Sequence, residues 1–174
     1  MKIKYLVVGL SSMLAVSSLN VAAQTIHFSP EIKTGPYVGS GLSGYGFQLG
    51  VKDIFGLESL YLSYSDTNAE FINIDQDQIT TYRVGGQFQI IEYPQMSLQV
   101  EAGYATYEGE RDYIFYGKRS LKQEGVSTSV SWAIGFNKYV AFRAGIDISY
   151  LDKSSTFLSS SFVPTFSTGI ILTF

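Results

Sequence analysis

The sequence predicts an all-β chain: an eight-stranded antiparallel transmembrane β-barrel, wound as an up-and-down meander with both termini at the same end. Three observations lead there. Side chains alternate with period two through most of the chain, and period two is the signature of strands. One face of that alternation is apolar and uncharged along strand after strand. After the first 23 residues no apolar run approaches the roughly 20 residues a membrane helix needs. Composition agrees: 15% of the residues are aromatic and only 16% are charged, against about a quarter charged in soluble domains.

The first stretch is set apart from the fold. Lys2 and Lys4 precede a largely apolar run, Tyr5 to Val16, and small residues lead to Val21-Ala22-Ala23. Charge, apolar run and small residues in that order make a secretory signal peptide. Residues 1–23 are therefore expected to be cleaved, leaving 24–174 as a single barrel domain. Removing Lys2 and Lys4 takes the formal charge from −3 to −5, which argues against a nucleic-acid partner. There is no cysteine, so no disulfide framework is available.

Seven strands read directly from the alternation. Tyr45, Phe47, Leu49 and Val51 oppose Gly46, Gln48, Gly50 and Lys52; Leu60, Leu62 and Tyr64 oppose Tyr61 and Ser63. Tyr82, Val84, Gly86, Phe88 and Ile90 oppose Arg83, Gly85, Gln87 and Gln89, and Leu98, Val100, Ala102 and Tyr104 oppose Gln99, Glu101, Gly103 and Ala105. The clearest run is Gly125 to Phe136, with Val126, Thr128, Val130, Trp132, Ile134 and Phe136 on one side and small residues on the other. Val140 to Tyr150 and Phe166 to Phe174 complete the set. An eighth strand is expected at Pro36 to Ser43, with Val38, Ser40 and Leu42 on its apolar side, and Ile26 to Lys33 could extend it.

The faces separate a membrane barrel from a soluble one. The polar face is mostly Gly, Ser, Ala, Gln and Thr with isolated charges, suited to a narrow interior. The apolar face suits lipid, where Arg or Lys at the midplane costs about 2–4 kcal/mol. Strands in hydrocarbon must pair every backbone group, so the sheet must close. Short turns at Asp53–Leu57, Glu92–Ser97 and Asn137–Lys138 are assigned to the periplasm. Longer polar loops at Asp66–Gln78, Glu108–Glu124 and Asp152–Ser161 are assigned outside, with a tight first loop near Ser43–Gly44. Aromatics gather at both expected interfaces: Phe55, Tyr93, Phe136, Tyr139 and Phe174 at one, Tyr64, Tyr82, Tyr104, Tyr150 and Phe162 at the other.

The closing segment, Phe166-Ser-Thr-Gly-Ile-Ile-Leu-Thr-Phe174, resembles the terminal strand of outer-membrane barrels, and Pro36-Tyr-Val-Gly-Ser-Gly-Leu42 resembles the first strand of small OmpA/OmpX-type barrels. The resemblance implies the outer membrane of a Gram-negative bacterium. It also implies recognition of the terminal strand (Ile170, Leu172, Phe174) by the barrel-assembly machinery, and partners among outer-membrane lipid and lipopolysaccharide. No C-terminal periplasmic domain like that of full-length OmpA proteins is expected, so peptidoglycan binding is not expected to carry over.

The expected lumen polar network is Lys52, Arg83, Glu101, Arg143 and Asp147, with Arg83 paired to Glu101. Buried charge must pair. The plain reading is a side-chain-filled lumen; the sharper one is a gate whose partner switching opens a thin polar path. In the loops, Arg111, Lys118 and Arg119 could meet lipid phosphate; an extracellular ligand is not named by the residues. Enzymatic readings are poor. The one histidine is His27, and a Ser/His hydrolase needs a base beside its nucleophile. In the resembling family, lipid A deacylases and palmitoyltransferases use a His and a Ser at the outer leaflet, whereas His27 is expected at the periplasmic end. No His/Cys metal spacing occurs, no cofactor motif follows a strand, and Asp75-Gln-Asp77 is a weak calcium pattern.

Two function classes beside the structural or surface-interaction barrel follow from the same residues. One is a narrow channel for ions or small solutes gated by the lumen pairs. The other is a soluble periplasmic lipocalin-like barrel, which inverts the faces to hold an apolar ligand.

Overall fold

A computed structural model describes residues 25–35, 42–71, 75–92, 94–113 and 117–174. Eight strands close into one antiparallel barrel in sequence order, β1 pairing with both β2 and β8. They are β1 (Ile26–Gly35), β2 (Leu42–Ile54), β3 (Leu57–Phe71), β4 (Asp75–Ile91), β5 (Met96–Tyr113), β6 (Gly117–Gly135), β7 (Val140–Tyr150) and β8 (Phe162–Thr173). Consecutive antiparallel neighbours joined by short turns are the meander the alternation predicts. Residues 1–23, the expected signal peptide, and Tyr93 lie outside the described residues.

The first strand differs from expectation. It is Ile26–Gly35, and Leu42 already belongs to β2. Ser43 and Gly44, expected in a tight loop, pair with Thr34 and Lys33 inside the β1–β2 ladder. Residues 36–41, most of the segment resembling a family first strand, lie outside the described residues. The physical reason is plain in β1. Ile26, Phe28, Pro30 and Ile32 alternate with His27, Ser29, Glu31 and Lys33, and the second set is buried. Pro30 has no N–H to donate to a ladder. The β1–β8 ladder steps from Phe28↔Leu172 to Glu31↔Gly169, passing over Pro30.

The loops also shift. Asp66–Gln78 and Glu108–Glu124 are largely strand: β3 and β4 pair out to Phe71↔Asp75, and β5 and β6 out to Tyr113↔Gly117. The β6–β7 ladder begins only at Val126↔Tyr150, and β2 stops pairing with β3 at Ser43↔Asn68. Strands β3 to β6 thus rise as a wall above the barrel on the end opposite the termini, here called the far end. The β7–β8 connection is a true loop, with one 3-10 turn at Lys153–Ser155 capped by Asp152. At the terminal end the β2–β3 turn is Phe55-Gly56, with φ of 54° and 77°. Two positive φ values are the hairpin signature usually met by Asn-Gly.

The two faces sort by size and polarity. Outward stand Phe47, Leu62, Val84, Phe88, Val100, Val130, Trp132, Ile146 and Phe166, all exposed. Inward stand serines, glutamines, glycines and charged groups, mostly buried. Glycine makes room for the few large interior side chains. A β-carbon on Gly85 would lie 2.7 Å from the Tyr61 ring, and one on Gly46 would lie 2.5 Å from a Glu31 carboxylate oxygen. The main cluster of buried apolar residues sits at the far end: Ala69, Ile79, Ala105, Tyr107, Leu151, Leu158 and Val163.

Candidate functional site

The middle of the interior is a closed ring of alternating charge. Arg83 Nε lies 2.9 Å from Glu101 Oε2, and Glu101 Oε1 lies 3.6 Å from Arg143 Nη2. Arg143 Nη1 donates to Glu31 Oε2 at 2.5 Å, and Glu31 Oε1 lies 3.0 Å from Lys33 Nζ. Lys33 donates to Asp147, and Asp147 Oδ1 returns to Arg83 Nη1 at 3.4 Å. Three cations and three anions alternate, so the formal charge of the ring cancels. Period two on four strands delivers these groups: β1 supplies Glu31 and Lys33, β4 Arg83, β5 Glu101, and β7 Arg143 and Asp147. Hydroxyls and an amide hold the ring to the wall. Ser63 donates to Glu101 at 2.7 Å, Gln48 to Glu101 at 2.5 Å, Arg143 to Ser131 at 2.8 Å and Arg83 to Ser127 at 3.2 Å. These contacts offset part of the desolvation cost that makes unpaired buried charge expensive, while Arg83 Nη2 and Arg143 Nε are buried without a hydrogen-bond partner.

Toward the termini the interior becomes neutral. His27 stacks on Tyr61 with ring centroids 5.0 Å apart, and its Nε2 lies 3.1 Å from Gln48 Oε1. Gln99 donates to Gln87 at 2.9 Å. At the mouth Lys52 and Glu58 approach to 3.6 Å, and Gln95 donates to Glu58 at 3.2 Å. Toward the far end Ser65 and Thr81 share a hydrogen bond of 2.7 Å below the apolar cluster. The β7–β8 loop folds onto that cluster, burying Leu151 and Leu158. The Phe157 backbone N–H donates to the Tyr107 hydroxyl at 3.1 Å, and that hydroxyl donates to Asp77. Arg111 contacts Asp77 at 2.7 Å and lies 4.6 Å from the Phe157 ring centre, with Arg119 at 5.9 Å. The far mouth is therefore covered by a loop latched to β4 and β5.

Solved structures share this architecture. The attachment invasion locus protein Ail of Yersinia pestis aligns with a TM-score of 0.66 at 15% identity, over 87% of this chain and 97% of that one. Neisserial surface protein A aligns at 0.59 and 11% identity, again over 87% and 97%. A major outer membrane protein from Thermus thermophilus aligns at 0.60 and 12% identity, over 86% and 99%. The fold is that of the small OmpA/OmpX-type outer-membrane barrels. At such identities the likeness is one of fold. No protein-family model matches the chain, and no curated protein is similar to it in sequence.

Within this fold the sequence-named residues divide. Arg83, Glu101, Arg143 and Asp147 stand together in the ring. Lys52 does not: it sits at the terminal mouth beside Glu58 and is partly exposed. Glu31 and Lys33 take the places that sequence reading left empty. The signal for them is the alternation of Ile26 to Lys33, which the sequence reading takes only as a possible extension of a strand at Pro36 to Ser43. His27 lies toward the terminal end and is buried, packed on Tyr61. Among the loop cations, Arg111 turns to Asp77, Lys118 contacts Glu110 at 2.7 Å, and Arg119 lies over Phe157. Ile170 and Phe174 are exposed, and Leu172 is half-buried. Among the described residues no group of three or more His, Cys, Asp or Glu is placed to hold a metal. The partners of His27 are an amide and a phenol ring, which is not a hydrolase arrangement.

Proposed function

We propose that the chain is an integral outer-membrane barrel with a filled lumen, serving a structural or surface-interaction role through its far end. One observation carries the reading: the outer wall. From the belt of Phe47, Tyr64, Tyr82, Tyr104, Tyr150 and Phe162 down to the terminal turns, the exposed outward positions of the described strands carry no ionisable side chain apart from tyrosine hydroxyls and Asp53, which stands next to the β2–β3 turn at the very end of the wall. Polar outward positions such as Asp66, Gln78 and Glu108 lie beyond the belt. On β6 the apolar band runs from Val126 to Ile134. At about 3.3 Å per residue and a tilt of roughly 40°, it spans ~20 Å, close to the ~25 Å apolar band of such barrels. A monomer with this much contiguous apolar surface needs a covering, and lipid covers all sides of a closed barrel. A lipocalin-like barrel needs the opposite assignment, with Tyr, Phe and Leu inside.

The charge ring and the latched far mouth support a filled lumen over a channel, since eight strands leave an interior that side chains can fill. The barrel folded into planar bilayers is expected to show no sustained conductance. Steady currents that change in an Arg83→Met variant would favour the channel reading instead. By the same reading the terminal end is periplasmic, and Phe174, with Leu172 and Ile170, is the assembly signal read by the barrel-assembly machinery. A Phe174→Asp variant is expected to accumulate poorly as folded barrel in cells. Once purified and refolded in detergent, it should nevertheless resemble the parent in heat-modified electrophoretic mobility. Normal accumulation in cells would remove that role.

A further inference from the structure

We propose that Tyr64 and Tyr82 form an oxidative cross-linking site: a one-electron oxidant, of the kind a peroxidase makes from hydrogen peroxide, joins them into a dityrosine that staples β3 to β4. The pair stands where these two strands leave the apolar band and begin the far-end wall. Such a staple goes beyond the structural role above, and it needs no partner at the far end.

Register brings the two rings together. Tyr64 and Tyr82 are directly opposite across the β3–β4 ladder, and opposite residues on one face have β-carbons about 4.5–5.5 Å apart. Their ring centroids are 5.3 Å apart, with the planes tilted by 57°. Both rings are on the outer face, where Tyr82 is 55% exposed and Tyr64 is half-buried. No other two tyrosines among the described side chains have their rings in contact. On its other side Tyr64 meets Phe47 at 5.6 Å, and a phenyl ring has no hydroxyl to oxidise. Tyr104 is opposite Tyr82 on β5, yet the ring contact of Tyr82 is with Tyr64. Tyr61 and Tyr107 are buried in the interior, away from an oxidant in water.

The coupling is a balanced two-electron oxidation. Each phenol gives one electron to the oxidant and its proton to a base. For Tyr64 a base is at hand: the Asp66 carboxylate, two residues along the same outward side, stands beside its hydroxyl. The two phenoxyl radicals join through ring carbons ortho to their oxygens, making one C–C bond. The hydrogen on each of those carbons then moves to oxygen by way of water, and both rings regain aromaticity. The pair has lost two electrons and two protons, and these reduce one hydrogen peroxide to two waters. Rings already in contact need no diffusive encounter, so coupling within the chain outruns coupling between chains. The chain has no cysteine, so no thiol of its own competes for the oxidant and no disulfide does the stapling.

The test treats the folded barrel in phospholipid nanodiscs with a peroxidase and hydrogen peroxide, after heat-modified electrophoretic mobility has confirmed folding. The expected product is a monomer lighter by two hydrogens. It should show dityrosine fluorescence and one cross-linked peptide joining the segments that hold Tyr64 and Tyr82. Its yield should not change with protein concentration. Tyr64→Phe and Tyr82→Phe keep the ring, and hence the belt, while removing the phenol. Either is expected to cut the yield at least about tenfold, because no other pair is held in contact, whereas Tyr104→Phe should stay within about twofold of the parent. A folded barrel that yields no dityrosine, while N-acetyltyrosine amide couples in a parallel reaction, overturns the proposal. So does a cross-link that maps to other tyrosines, survives Tyr64→Phe or forms only between chains.

Discussion

Replacing Arg143 by methionine is expected to destabilise the folded barrel by about 3–5 kcal/mol, the usual cost of removing one partner from a buried ion pair. Arg143 is fully buried, with 0% side-chain exposure, and joins Glu31 to Glu101 across the interior. Its loss breaks the ring between two carboxylates and leaves one uncompensated negative charge. Glu31 keeps Lys33, and Glu101 keeps Arg83, Ser63 and Gln48, so the lower end of the range is expected. Urea unfolding of the barrel in lipid vesicles measures the change. Neutralising one of the two orphaned carboxylates, in Arg143→Met/Glu31→Gln, leaves two cations against two anions and should recover much of the loss, because the cost lies in stranded charge rather than in a missing contact. Lys52→Met at the mouth, where water screens the pair with Glu58, should cost under about 1 kcal/mol. Equal effects at Arg143 and Lys52 would mean that the ring is not dry.

The second large effect lies on the outer wall. Val130 stands midway along the apolar band of β6 and is exposed. Val130→Arg is expected to cost about 2–4 kcal/mol in a bilayer, as for arginine at the midplane of other barrels. The same substitution at Thr106, beyond the belt, should cost about 0–1 kcal/mol. Unfolding free energies in vesicles give both numbers. A solvent-facing wall would instead make both substitutions nearly neutral, so the depth dependence is the informative quantity.

Much of this was legible in the residues because alternation reports which face a side chain occupies. Val126 to Phe136 and Val140 to Tyr150 name their outward and inward sets without help from structure. Arg83, Glu101, Arg143 and Asp147 follow by parity alone. Parity says nothing about depth, which is why Lys52, inward by the same rule, was grouped with the ring although it lies at the mouth. The alternation of Ile26 to Lys33 is visible, but the sequence reading centres the first strand on Pro36 to Ser43 and so leaves out Glu31 and Lys33, two of the six ring members. The far-end loops were misjudged for another reason. Charge and tyrosine at Glu108–Glu124 read as loop composition, but alternating polar residues can equally extend a hairpin above a membrane. The cap formed by Leu151, Leu158 and Phe157 has no periodic signal, since its contacts join a loop to strands far away in sequence.

The central claim is that the apolar wall faces lipid, and the single tryptophan tests it most directly. Trp132 lies outward on β6 with 49% of its surface exposed. In vesicles of chain-brominated phospholipid its fluorescence should be strongly quenched, while aqueous acrylamide should have little effect. Emission quenched by acrylamide and indifferent to brominated chains would contradict the account.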